Sequence, residues 1–350
     1  MGRLVKAGIG VFLLYGNHDA ESVLTKKLPL PVEVQVFEAR QARTLLHEPT
    51  ATALHGWSYR ERDTRDNLAA GYPARVPNHL NIGVLHTALN GGRPPHAPYA
   101  PCTPQQLAAK GYDYWALGHV HEFEVISTTP HIVFPGNLQG RNIRECGRKG
   151  AVLVTVENGD IVGAPRPVAL DAVRWARVEV DVAEVESEAG IHDRLRDALR
   201  RACDEHAEGR PLMVRVTIGG LTPLHGEMNR RRDALREEVR GIALAISERL
   251  WVEKLVLRTM PPAAAAPADP TLRDELGRLL AQAAADADFV AALDAELAEF
   301  LARTPDLGEP GGEPWGEGGD ELLAAVRRGD VSTLIRDAAS ALDARLAAVA

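Results

Sequence analysis

Three short stretches of this 350-residue sequence carry side chains suited to binding a metal ion. They are Gly16-Asn17-His18-Asp19, an isolated His86, and Gly118-His119-Val120-His121. Each follows an apolar run rich in strand-forming residues, at 9–15, 80–85 and 114–117. In open α/β architectures ligands gather beyond the carboxyl ends of strands, so three such ends argue for one convergent site. Imidazole suits zinc, iron and manganese, and the Asn17 amide adds a harder oxygen donor. On a continuing strand, residues i and i+2 share a face, so His119 and His121 would address two adjacent ions. Two ions about 3.5–4 Å apart clamp an in-line displacement at phosphorus, activating water and stabilising the leaving oxygen. His18, beside Asn17 but on the other side of the chain, would contact phosphoryl oxygens or protonate a leaving group. Taken singly, Gly-Asn-His-Asp is a turn and a lone strand-end histidine is a structural residue. The ordered combination carries the metal reading.

The elements that must position these residues can be read from periodicity. Further strands are expected at 32–37, 52–59, 123–127, 132–134 and 151–156, with a hairpin turn at Asn158-Gly159-Asp160. Residues 22–27 suit a short helical turn, 104–110 a short helix, and 90–104 a Gly/Pro-rich loop. A second unit starts near Val173: strand 175–182, helix 191–206, strand 212–218, one long helix 227–250 and strand 252–257. That β-α-β-α-β order predicts a small α+β domain. A Pro/Ala linker follows at 261–267. Helical faces then appear at Leu272, Leu276, Leu279 and Leu280, at Phe289, Leu293, Leu297, Phe300 and Leu301, and from Glu321 onward, with a loop at 305–319. Arg141, Arg144, Arg148 and Lys149 form a basic cluster downstream of the site, able to contact a phosphate backbone. Arg230-Arg231-Arg232 offers a second one, among acidic neighbours. His55, His79, His96, His131 and Cys102 read as structural or exposed side chains.

Composition narrows the class. Hydrophobic residues make up 45% and charged residues 25%, as in globular proteins. No apolar run approaches the roughly eighteen residues of a membrane span, and the N-terminus does not read as a signal peptide. Three scattered cysteines (Cys102, Cys146, Cys203) form no C-x-x-C pair, so a reduced, cytoplasmic setting is expected. A net charge of −8 argues against a dedicated basic nucleic-acid binder; a bound divalent ion would supply positive charge locally.

In this order, the motifs resemble the calcineurin-like metallophosphoesterase superfamily, and most of all its DNA repair exonuclease branch (Mre11/SbcD-like). The Pro135-Gly136-Asn137-Leu138-Gln139-Gly140-Arg141 run and the Tyr112-Asp113-Tyr114-Trp115-Ala116-Leu117 run look like a bacterial subgroup of it. The resemblance covers residues 9–168. It implies an α/β fold: a metallophosphoesterase β-sandwich flanked by helices over 1–170, a small α+β capping domain of DNA-binding type over 171–260, and a helical C-terminal tail over 270–350. It implies that Asn17, His86 and His119 bind one divalent ion and His121 a second, both manganese by analogy with the branch. His18 would be the catalytic histidine and Asp19 would orient it. The implied activity is hydrolysis of DNA phosphodiester bonds by two-metal activation of water, with Arg141, Arg144, Arg230 and Arg231 as DNA contacts. The implied partner is an SMC-like ATPase on a separate chain, since no G-x-x-x-x-G-K-[ST] occurs here, docking on the C-terminal helices; a homodimer stays open.

One departure matters. The superfamily places D-x-H on its first strand and G-D-x-x-D on its second, and the residues before Gly16 contain no Asp, Glu or His. The expectation is therefore a truncated sandwich whose strand at 9–15 has an exposed edge and whose stability and activity are reduced. Two alternatives stand beside the nuclease: a non-catalytic subunit that binds DNA and the ATPase, and a phosphoesterase acting on a nucleotide or phosphoprotein.

Overall fold

The computed structural model describes residues 1–21, 29–89, 99–262 and 285–303, with scattered positions in 275–283 and 330–338. They form two compact units, one of residues 1–139 with 148–171, the other of 140–147 with residues from 172 onward.

The first unit opens with helix α1 (Gly2–Lys6), strand β1 (Phe12–Leu13) and helix α2 (Asn17–Glu21). The run at 9–15, expected as one buried strand, is a two-residue strand that is only half-buried, and Ile9 is exposed. β1 pairs in parallel with β2 (Gln35–Val36), Phe12 opposite Gln35. Beyond Leu13 a side chain replaces the ladder: the Ser58 hydroxyl accepts the Tyr15 N–H at 3.0 Å, while the Tyr15 carbonyl accepts the Tyr59 N–H at 2.9 Å. Those bonds carry the chain to Gly16 without regular strand geometry.

A six-stranded mixed sheet holds the core. Its strands are β3 (Arg43–His47), β4 (Thr52–Gly56), β5 (Leu80–His86), β6 (Tyr114–Gly118), β7 (Phe123–Thr128) and β8 (His131–Pro135), with helix α3 (Pro104–Ala108) between β5 and β6. The order is β3-β4-β5-β6-β8-β7. β4, β5, β6 and β8 run parallel, and β3 and β7 close the edges as antiparallel partners. The apolar runs at β5 and β6 are legible because parallel strands are buried on both faces. Trp115, Leu107, Leu85, Ile132 and Phe134 pack together, each worth about 1.5–3 kcal/mol on burial. Gly83 makes room for Trp115, since a Cβ there would lie 2.3 Å from the indole. Outside this sheet, β9 (Gly150–Glu157) and β10 (Asp160–Ala169) form a hairpin turning at Asn158 and Gly159, both with positive φ. Among the described residues, the other sheets of this unit are the two-stranded ladders β1-β2 and β9-β10.

In the second unit, β11 (Arg174–Asp181), β12 (Leu212–Leu221) and β13 (Leu250–Met260) form a wholly parallel sheet in that order. Helix α4 (Glu188–Ala202) links the first two, and α5 (His225–Arg230) with α6 (Arg232–Ile246) links the last two. Parallel strands need such crossovers, so this unit is α/β rather than the expected α+β. The single long helix expected at 227–250 is broken at Arg231, whose φ of −99° and ψ of 23° leave the helical region. Residues 140–147 join this unit through Trp175, whose indole N–H donates to the Gly140 carbonyl at 3.0 Å. Helix α7 (Ala287–Arg303) includes the expected face at Phe289, Leu293 and Leu297. The elements expected at 22–27 and 263–267, the loops at 90–98 and 305–319, the apolar positions 272, 276 and 280 and nearly all of the final helix lie outside the described residues. Among the described residues, no helix is long and apolar enough to cross a membrane.

Candidate metal centre

The parallel register of β5 and β6 sets His86 opposite Gly118. The His86 ring then occupies space left by two glycines. A Cβ on Gly16 would lie 2.6 Å from the His86 Cε1 and Nδ1 atoms, and a Cβ on Gly118 would lie 3.0 Å from Nδ1. His86 Nε2 stands 2.8 Å from Oδ1 of the buried Asn17, donating to it in the Nε2-protonated tautomer. The buried Tyr59 braces the other end: its hydroxyl donates to the His86 carbonyl at 2.9 Å and its ring meets the imidazole edge-on at 5.2 Å.

His119 completes a ring cluster. Its centroid lies 5.2 Å from that of His86 and 5.6 Å from that of Tyr99. The expected continuing strand is corrected here. β6 stops at Gly118, and His119 has a φ of 103°, so the alternation argument for His119 and His121 does not apply. A positive φ in a residue with a side chain is strained and persists only where its surroundings enforce it.

The Asp19 carboxylate accepts the Gly16 N–H at 3.0 Å, closing the Gly16–Asp19 turn, and His18 is exposed beside Asn17. Burial pushes the His86 pKa down to about 3, with further lowering from His119, His18 and His121. Their charges would repel one another if protonated, so His86 is neutral near neutral pH.

Neutral imidazoles and an amide oxygen are donors for a borderline or hard divalent ion. Among the described residues, no three His, Cys, Asp or Glu side chains by themselves form a metal-holding group. With the Asn17 amide counted as a donor, Asn17 Oδ1 and His86 Nε2 are two donor atoms held 2.8 Å apart. Bonds of about 2.1 Å at right angles separate adjacent ligand atoms by about 3 Å, close to the spacing seen there.

The remaining candidates are placed as follows. The Arg141 N–H donates to Glu145 Oε2 at 2.7 Å, with its guanidinium 3.6 Å from the same carboxylate, and the Arg144 N–H donates to Asn142. Arg231 is shared among Glu188, Glu227 and Glu238, while Arg230 sits 4.0 Å from Glu227. Lys149 is not the solvated surface residue expected: it is buried, its ammonium 2.9 Å from the His121 carbonyl. Cys102 is buried against the Thr87 hydroxyl, and burial raises its pKa. His55 is fully buried between Thr44 and Asn81 and stacks on Tyr112; His79 caps the Pro77 carbonyl; His131 packs beside Tyr114. His96 lies outside the described residues. Sequence reasoning missed the bonds of Tyr59 to the His86 carbonyl and of Lys149 to the His121 carbonyl, since nothing local distinguishes either from an ordinary core or surface residue.

The family described as "Metallophosphoesterase YhaO, middle domain" matches residues 175–260. A relative from Bacillus subtilis (strain 168), "Uncharacterized metallophosphoesterase YhaO", is 34% identical over 225 residues, covering 63% of this chain and 54% of that protein. The chain thus spans about half the length of this relative. These similarities support the metallophosphoesterase superfamily indicated by the motifs, and the mixed sheet with its helices is compatible with such a fold.

Proposed function

We propose that this chain supplies a metal-binding part of a divalent-metal-dependent phosphodiesterase of the DNA repair exonuclease type, with manganese as its ion and DNA as its substrate. The likeness to a protein named as a metallophosphoesterase supports phosphoester hydrolysis, and with it a hydrolase. The carrying observation is the meeting of Asn17 and His86 at 2.8 Å, with the His119 ring beside them, from three separate segments. In this reading Asn17, His86 and His119 hold one ion and His121 faces a second. When bound, the ions supply Lewis acidity to the phosphoryl group and to the attacking water. His18, exposed next to Asn17, donates to a phosphoryl oxygen or protonates the leaving group. Asp19 steadies that turn through Gly16. Arg141, Arg144 and Arg230 are the proposed backbone contacts, with Arg231 secondary because its guanidinium is already engaged by three glutamates. The proposed partner is an SMC-like ATPase.

Calorimetric titration with Mn²⁺, run beside cleavage of linear DNA and of bis-p-nitrophenyl phosphate, tests this reading. Wild-type chain is expected to bind Mn²⁺, and His86→Ala to lose that binding. Absence of divalent-ion binding by the wild type overturns the proposal, and ester hydrolysis without DNA cleavage redirects it to a small phosphoester. A second reading is a non-catalytic subunit that binds DNA and the ATPase. Mn²⁺-dependent DNA cleavage abolished by His18→Ala would exclude it.

A further inference from the structure

The backbone at His121 is held by a group of residues that the proposed chemistry does not use. Its carbonyl accepts the Lys149 ammonium at 2.9 Å and the Asn137 N–H at 3.3 Å. Gly136 lies against the same peptide: with a φ of 77°, a Cβ there would sit 3.0 Å from the His121 carbonyl and 3.1 Å from the Glu122 carbonyl carbon. Lys149 is itself anchored. Its carbonyl accepts the Leu170 and Asp171 N–H groups at 3.0 and 3.2 Å. The next residue, Gly150, permits close packing of β9 on β10, since a Cβ there would meet the Val168 carbonyl at 1.9 Å. Lysine is rarely as buried as the 7% exposure seen here unless its charge is used.

These residues stand behind a segment that needs holding. His119 carries a strained positive φ, its ring lies 5.2 Å from that of His86, and His121 follows two residues later. A charge-assisted hydrogen bond from a rigid base is stronger and more directional than a neutral one. Outer partners that orient metal-ligating side chains commonly change metal affinity when removed.

We infer that Lys149 is a positioning residue: with Asn137 and Gly136 it clamps the His121 carbonyl, and so fixes the aim of the His119–His121 segment at the metal centre. The inference rests on the metal reading above for its consequence, but not for the clamp itself.

The test uses the 350-residue chain with Lys149→Met, Lys149→Arg and His86→Ala, read in two ways. In the metal-free state, imidazole NMR cross-peaks of His119 and His121 should shift in Lys149→Met and return towards wild type in Lys149→Arg, while those of His55 stay in place. With Co²⁺ as the probe, Lys149→Met should bind about 10–100-fold more weakly with an altered visible spectrum, Lys149→Arg should recover most of the affinity, and His86→Ala should not bind. A general packing role would lower the thermal midpoint without moving the Co²⁺ spectrum or the two histidine signals, and that pattern overturns the inference. Should Lys149→Met not fold, Lys149→Gln, which keeps a shorter neutral donor, is judged by the same two readouts. If wild-type chain takes up no Co²⁺, the metal reading fails; the metal-free spectra still decide whether Lys149 sets the histidine geometry.

Discussion

Gly16 shows how much a single missing side chain can decide. In the sequence it reads as a turn residue; in the fold its missing Cβ is the space His86 occupies. Gly16→Ala should push the imidazole off Asn17, cost about 1–3 kcal/mol by overpacking, and weaken Mn²⁺ binding at least about tenfold. Denaturant titration and calorimetry check both, and an unchanged affinity would contradict the placement of His86. His55 gives a pH prediction of its own. Burial is the largest influence and lowers its pKa below 6.5, so the folded chain keeps it neutral where the unfolded chain takes up a proton. Its contribution to stability is therefore complete above about pH 6.5 and is lost as the pH falls below that, at up to about 1.4 kcal/mol per pH unit. His55→Gln should flatten the fall in urea midpoint between about pH 7 and pH 5. The donor types at 17, 86 and 119 were legible as residues, because Asn and His announce their chemistry. The braces Tyr59 and Lys149 were not, because their roles exist only through carbonyls distant in the chain.

At the scale of elements, buried parallel strands announce themselves and edges do not. β5, β6 and β8 were legible as continuous apolar runs. β3 was not, since Arg43-Thr44-Leu45-Leu46-His47 lacks clean alternation and is held in place by its partner β4. The helix expected at 227–250 is broken where local pattern gives no sign of it: Arg231 fits a helical pattern, and its partners Glu188, Glu227 and Glu238 on α4, α5 and α6 come together only in the fold. Because it is 40% exposed, its ion pairs are screened, and Arg231→Ala should cost about 1 kcal/mol, against less than about 0.5 kcal/mol for Arg230→Ala. Urea denaturation of both variants tests the difference. Gly150→Ala should do more harm, because the added methyl meets backbone in β10 that cannot rotate away. A loss above about 2 kcal/mol, with faster amide exchange along β9, is expected.

Across the whole molecule, each unit has its own apolar core, one built around Trp115 and Leu107 and the other around Leu195, Val214, Val216 and Ile218. Leu195→Ala in α4 should cost the second unit about 2–5 kcal/mol, seen as loss of amide protection in β12. The sequence by itself determined the kinds of donor, their order along the chain and the two strands, β5 and β6, that lead to His86 and His119. Each of these follows from local periodicity and side-chain chemistry. Tertiary structure alone decided that Asn17 meets His86 across 69 residues, that two glycines frame that ring, that His119 leaves the strand in a strained conformation, and that Lys149 faces inward. Those contacts depend on the register of β5 against β6 and on the close packing of β9 on β10. Register is settled by the fit of whole strands to one another, and no short stretch of sequence encodes it.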